Sequence, residues 1–382
     1  MPIPVEEAAA LARAAAQPLE EETVPLRLAL GRTLTRPVRA VLPQPPFDRS
    51  PLDGYALRAA DIAGAGPDTP RVLAVTGRVC AGEVPAGPLA PGCAVRVMTG
   101  AMVPPGTECV VRQEDTDQGE KRVRVFRSHR AGENLCLRGE EYGPGTELLA
   151  AGAGAAEVTV RRRARTAILA TGDEVCLPGR PLPPGKVYDA NTAYLAARLE
   201  TLGASVARTE WVPDDLAEIA MALDGCDGCD WILTTGGVSV GQKDFLEAAL
   251  GAWGAEVVFH GVAMKPGMPT LLARRGRTVV LALSGNPFAA AAAFELLGRP
   301  ILGRLSGEAG VEMARAQAVA QCDFVRPGTT LRYLRGFAAD GGVTVPGAQA
   351  NGQMRSMVGC NCLVELPGGT MRRGDTVDIR ML

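Results

Sequence analysis

The chain lacks what would direct it to a polynucleotide, a membrane or a secretory route. Its 40 basic and 42 acidic residues nearly cancel, for a net charge of −2 over 382 residues. Without a basic excess to neutralise phosphates, no nucleic-acid partner is expected. No uninterrupted apolar run approaches the ~20 residues of a transmembrane helix. The opening MPIPVEEAAALARAAAQ puts acids ahead of its apolar stretch and has no basic n-region, the wrong polarity for a signal peptide. The expectation is a soluble, cytoplasmic protein with no membrane contact. Internal repeats and low-complexity linkers are also missing.

Histidine is scarce: only His129 and His260 occur. That scarcity weighs against serine hydrolysis. Gly237-Val238-Ser239-Val240-Gly241 matches the G-x-S-x-G nucleophile elbow, and its strand–turn–helix context fits. The triad, however, needs a histidine after the acid. His129 precedes the serine, and His260 falls inside an expected strand. The ten cysteines are scattered, and reduced thiols are expected. Cys226/Cys229 and Cys360/Cys362 form two short-spaced pairs that four-thiolate zinc coordination would require, but one CxxC is a weak signal. Two unrelated pairs of small, semi-buried residues is the better reading.

What is present is a large apolar fraction, 47%, with 46 glycines and 29 prolines. A sizeable core follows, with many turns. Residues 4–17 read as a helix. From about 38 to 130, short β runs such as RVLAVTGRV (71–79), CAVRVMTG (93–100), ECVVRQED (108–115) and KRVRVFR (121–127) are broken by Gly and Pro, with loop at 81–92. Residues 164–303 alternate strand and helix: strands at 166–171, 205–212, 231–235, 255–264 and 277–283, helices at 191–203, 214–223, 244–254 and 287–302. This pattern predicts a doubly wound, mostly parallel α/β sheet. Residues 315–382 are β again, with the punctuation of a small barrel or sandwich. The expected domains are 1–37 plus 133–163 (mixed), 38–132 (mostly β), 164–307 (α/β) and 308–382 (β-barrel-like).

In a doubly wound sheet, ligands bind beyond the carboxyl ends of the strands. Three loops sit there: Thr171-Gly172-Asp173-Glu174, Thr234 to Asp244, and Ser284-Gly285-Asn286-Pro287. The second is the most informative stretch. Gly236, Gly237, Ser239 and Gly241 form a glycine-rich turn whose exposed backbone N–H groups favour an anion, usually a phosphate. Asp244 closes it, and a carboxylate beside a phosphate implies a bridging cation. Glu174, Asp214 and Asp244 all fall at strand-to-helix junctions of one sheet, which suits Mg²⁺ between protein and phosphate. Asp214 also fits a helix N-cap. Lys265, in a proline-stiffened turn, is placed to neutralise an oxyanion.

Several segments together resemble a known family. They are PFDRSPLDGYALR (46–58), RVMTGAMVPPGTECVVRQED (96–115), GENLCLRGEEYGPG (132–145), ATGDEV (170–175), DANTAYLAARLETLGA (189–204), TTGGVSVGQKD (234–244), MKPGMP (264–269) and SGNP (284–287). In this order they resemble the molybdopterin molybdenumtransferases, the bacterial MoeA family related to gephyrin. The resemblance implies insertion of molybdenum from molybdate into adenylated molybdopterin, with release of AMP and with Mg²⁺. It implies a homodimer whose site is shared between copies, and contact with the adenylating enzyme of the same pathway. By position, Asp53 matches the catalytic aspartate and Thr99 the threonine of MTGA. Glu174, Asp214, Asp244 and Lys265 match the family's acids and the first lysine of KPGK, and Arg335 matches a barrel arginine thought to meet molybdate.

The departures fall mostly on anion contacts. Met268 stands where the family has a second lysine, and Ser284 opens the usual PGNP. Ala289 replaces a serine, Gln349-Ala350-Asn351 replaces QGS, Glu141 replaces an aspartate, and Arg49 replaces an asparagine. A lost lysine removes charge and hydrogen bonds from a divalent-anion site. Handling of the adenylate is thus expected to be retained better than molybdate affinity. The alternatives are a variant adapted to tungstate and a non-catalytic scaffold; the retained acids argue against the scaffold.

Overall fold

The computed structural model describes residues 1–147, 154–238 and 245–382. The chain divides into two compact units, Arg36–Val158 and Met1–Thr35 with Thr159–Leu382. Among the described residues, no helix is long and apolar enough to cross a membrane.

The unit Arg36–Val158 is built on a five-stranded sheet in the order Cys109–Arg112, Gly54–Leu57, Cys93–Val97, Arg71–Val79, Arg122–Val125. The Gly54–Leu57 strand, absent from the sequence reading, is antiparallel to both neighbours and buried throughout. Its side chains alternate between two cores: Tyr55 and Leu57 join one, Ala56 the other. Being buried on both faces, it carries no polar alternation to announce it. Gly54 is required there, since a β-carbon would lie 2.0 Å from the Val111 carbonyl oxygen. Residues 81–92 carry neither strand nor helix, as expected.

The larger unit contains the α/β layer. Its strands are β1 (Arg165–Thr171), β2 (Ser205–Val212), β3 (Trp231–Thr235), β4 (Glu256–His260), β6 (Leu271–Arg275) and β7 (Thr278–Leu283), with β5 (Met264–Lys265) between β4 and β6 in the chain. The sheet order is β2-β1-β3-β7-β6-β4. The first four strands are mutually parallel, while β6 runs against both of its neighbours. The expected single strand at 255–264 is thus two short ones, and β6 was not anticipated.

Helices cover both faces of this sheet: α1 (Val5–Ala15), α2 (Ala190–Thr201), α3 (Leu216–Asp224), α4 (Leu246–Ala252), α5 (Pro287–Ala293) and α6 (Arg299–Ser306). Ile168 packs in the core that includes α1, α2, α5 and α6, whereas its neighbours Ala167 and Leu169 pack in the core with α3 and α4. Both faces being buried explains why the strands read as continuous apolar runs. The helix expected at 287–302 is interrupted by a π turn, Phe294–Gly298. The N-cap of α3 is Asp215, whose carboxylate accepts from the Ala217 and Glu218 amides. Asp214 is therefore not the cap, and its carboxylate is directed elsewhere.

The C-terminal strands β8 (Arg315–Ala320), β9 (Leu331–Ala339), β10 (Gly342–Thr344), β11 (Cys362–Leu366) and β12 (Thr376–Met381) follow the order β9-β10-β8-β12-β11, and β11 pairs back onto β9. The result is the small closed barrel expected. Strand β5 adds to it alongside β9, in parallel, with Lys265 opposite Arg332.

Candidate functional site

The parallel strands β1, β3 and β7 deliver their carboxyl ends to one edge, where Asn191 ties the loops together. Its Nδ2 donates to Thr235 Oγ1 (2.7 Å) and to the Gly285 carbonyl (2.9 Å). Thr235 Oγ1 in turn donates to the Ser284 carbonyl at 3.4 Å, and the Asn286 amide donates to Ser284 Oγ at 3.3 Å. Asp189 caps α2 by accepting from the Thr192 amide at 2.9 Å, which sets the helix that carries Asn191.

Gly236 turns the chain out of β3 at φ +96°, where a β-carbon would sit 2.3 Å from the Thr171 carbonyl oxygen. The first and second loops thus approach closer than any side chain allows. Thr171 Oγ1 is buried there and has no hydrogen-bond partner among the described residues.

These loops form one wall of a cleft of ≈ 1060 Å³. Glu174, Gly236, Gly237 and the Ser284, Gly285, Asn286, Pro287 turn line it. Lys265 faces it from the end of β5 and Met268 from the turn that follows, with Arg326, Arg332 and Asn351 on the barrel side. The structure therefore brings together the described part of the glycine loop, the SGNP turn, Glu174 and Lys265. Ser239, Gly241 and Asp244 lie outside the described residues.

Asp214 pairs with Asp173 across the ends of β1 and β2. The Asp173 amide donates to Asp214 Oδ2 (3.3 Å) and the Asp214 amide to Asp173 Oδ1 (3.4 Å). Lys186 donates to the Asp173 carbonyl. The donors here are all oxygens, the hard-ligand type that Mg²⁺ takes. Among the described residues, no group of three His, Cys, Asp or Glu is placed to hold a metal ion. That statement also covers the cysteine pairs considered for zinc; all ten cysteines are free, and burial pushes the Cys226 thiol up to about 12.

Asp53 and Thr99 meet in the other unit. Asp53 Oδ1 accepts from both the Thr99 amide and the Thr99 hydroxyl, each at 2.7 Å. These two donors, the amide first, hold the Asp53 carboxyl below the ordinary aspartate range, and the Arg96 charge adds to them.

Arg335 lies in strand β9. It is 1% exposed. Its Nε donates to Gln349 Oε1 (3.3 Å), Nη1 to the Gln353 carbonyl (2.8 Å), and Nη2 to the Ala348 (3.3 Å) and Ala350 (3.1 Å) carbonyls. Every guanidinium nitrogen thus holds the 348–353 loop, from which Asn351 reaches the cleft. The hydrolase alternative gains nothing from His260, whose Nδ1 lies 2.9 Å from Glu247 and whose Nε2 lies 3.3 Å from the Val238 carbonyl.

Three family models match the chain in succession: the MoeA N-terminal region (domains I and II) over residues 3–160, a probable molybdopterin-binding domain over 167–304, and the MoeA C-terminal region (domain IV) over 317–382. Molybdopterin molybdenumtransferase 2 of Mycobacterium tuberculosis is 35% identical over 366 residues, covering 90% of each chain. The chain belongs to the molybdopterin molybdenumtransferase family. The molybdopterin molybdenumtransferase of Bacillus subtilis is 34% identical over 405 residues, covering all of this chain and 94% of that one. The crystal structure of the molybdopterin biosynthesis MoeA protein from Pyrococcus horikosii superposes with a TM-score of 0.87 at 26% identity, over 100% of this chain and 99% of that one.

Within this family member, Arg326 and Arg332 are cleft residues that sequence reasoning missed. The signal for Arg332 was its spacing. It stands three residues before Arg335 in a regular strand, so the two face opposite sides of the sheet. A buried Arg335 and a cleft-lining Arg332 are two consequences of one register.

Proposed function

We propose that the chain inserts molybdenum from molybdate into adenylated molybdopterin and releases AMP, acting as a Mg²⁺-dependent homodimer in the cytoplasm. The observation that carries this reading is the cleft itself: the glycine turn, the SGNP turn and Lys265 face one another across a cavity of ≈ 1060 Å³. That space suits a pterin with a phosphate-linked adenylate, since small-molecule sites run to roughly 300–1,000 Å³. In this reading the turns at Gly236, Gly237, Gly285 and Asn286 receive the pterin and phosphate, and Ser239 and Gly241 are assigned to the same ligand. Lys265 offsets the charge of the oxyanion. Asp53, kept ionised by Thr99, serves as the catalytic carboxylate. Glu174, Asp214 and Asp244 would hold Mg²⁺. When bound, the ion would neutralise phosphoanhydride charge.

Molybdate-dependent AMP release from adenylated molybdopterin tests the reading. The expected result is metal-dependent turnover by the wild type, abolished in Asp53→Ala and Asp244→Ala. Normal turnover in both variants would overturn these roles, and absence of turnover by the metal-loaded wild type would overturn the activity. Sedimentation of the pure protein as a monomer would remove the dimer.

A further inference from the structure

The cleft sets Lys265, which the family motif marks, beside a second cation, Arg332, which no motif marks. Lys265 and Arg332 are register partners on the parallel strands β5 and β9, and both line the cleft. Like charges set side by side on adjacent strands repel each other. Among the described residues neither side chain makes a hydrogen bond or an ion pair, and Arg332 Nε is buried without a partner. Of the carboxylates lining the cleft, Asp189 is committed to capping α2. Met268, which faces the same space, offers neither charge nor donor.

We propose that Arg332, set beside Lys265, is the residue by which this chain selects its tetrahedral divalent oxyanion, compensating for the missing lysine at position 268. This rests on the reaction proposed above. A guanidinium offers two parallel N–H donors to one oxyanion, and the neighbouring ammonium adds a point charge. An anion bound between them removes the repulsion and partners the orphaned donor. Arg335, three residues on and fully hydrogen-bonded, is left to shape the loop.

The test is calorimetric titration of the full-length protein with molybdate alone and tungstate alone, alongside steady-state AMP release, for wild type, Arg332→Gln, Arg332→Lys and Arg332→Gln/Met268→Lys. Arg332→Gln should weaken both oxyanions about tenfold or more, the loss expected from one charge-assisted pair. The half-saturating concentration of adenylated molybdopterin should change less than twofold, and the melting temperature should hold. Arg332→Lys should fall between, keeping charge but losing the fork, and Met268→Lys should restore most of what Arg332→Gln loses. An unchanged oxyanion affinity in Arg332→Gln, or equal weakening of both substrates, overturns the proposal, as does a wild type that binds neither oxyanion. Should the wild type bind molybdate but release no AMP, the proposed reaction fails while the titrations still judge Arg332.

Discussion

The guanidinium of Arg335 lies 4.1 Å from the centre of the Phe288 ring. Phe288 directly follows the SGNP turn, and its amide donates to the Asn351 carbonyl at 3.2 Å. One arginine therefore links the turn after β7 to the barrel loop that faces it across the cleft. Replacing it with methionine keeps bulk on Phe288 but leaves the Ala348, Ala350 and Gln353 carbonyls without their donor. Arg335→Met is expected to lose about 2–4 kcal/mol of stability in urea unfolding, as for a broken buried network. Half-saturating concentrations of both substrates should rise together, because the loop moves as a whole. A selective effect on molybdate would instead mean that Arg335 touches the anion.

The Asp53 carboxylate is depressed by its Thr99 donors, so the sign of its pH dependence is set. A depressed carboxyl is ionised above its folded-state value and loses its charge only as pH falls through that value. Thr99→Val removes the hydroxyl donor and leaves the amide donor. The acid limb of kcat/KM should therefore move to higher pH in Thr99→Val, with little change on the alkaline side. A profile that scales down without shifting would separate Asp53 from the acid limb.

The parts legible in the sequence were those with a local signature. The glycine turns after β3 and β7 were visible because the chain reverses there between an apolar run and a helix. The alternation of strand and helix from 164 onward gave the doubly wound layer, and the short punctuated runs after 315 gave the barrel. What escaped was non-local. β6 is a five-residue strand hidden behind the proline-rich turn that follows Lys265, and it exists because it completes a hairpin with β7. Asp214, assigned to the metal, also fitted a helix cap, and only the fold shows Asp215 taking that role. Arg332 had no meaning until β5 paired with β9.

Gly236 is a cleft glycine that no side chain can replace without collision. Alanine there would have to hold φ near +96° and sit 2.3 Å from the Thr171 carbonyl oxygen. Left-handed strain alone costs on the order of 1–3 kcal/mol, and the collision forces β1 and β3 apart at the point where they form the site. Gly236→Ala should lower the unfolding midpoint and raise half-saturating adenylated molybdopterin at least about tenfold, a change equivalent to ~1.4 kcal/mol of binding. Near-normal substrate binding would mean that the loop relaxes freely and does not shape the pocket.

Glu295 tests the support beneath the cleft rather than the cleft itself. It is 1% exposed and sits in the π turn between α5 and α6. It accepts from Tyr194 Oη (2.9 Å), from Arg198 Nε (2.6 Å) and Nη2 (2.9 Å), and from Arg299 Nη1 (3.1 Å). Burial first, and then the charge of Glu295, push the Tyr194 hydroxyl up, so it remains a donor throughout the working range. One carboxylate thus satisfies two arginines that bind it from α2 and α6. Glu295→Gln removes the charge but keeps the shape, leaving both arginines without their counter-ion. Breaking a buried ion network from one side costs about 3–5 kcal/mol. The expected outcome is a loss of that size in urea unfolding, with AMP release per folded molecule nearly unchanged, since Glu295 does not line the cleft. A loss under about 1 kcal/mol would mean that water reaches the arginines and that the network is effectively solvated.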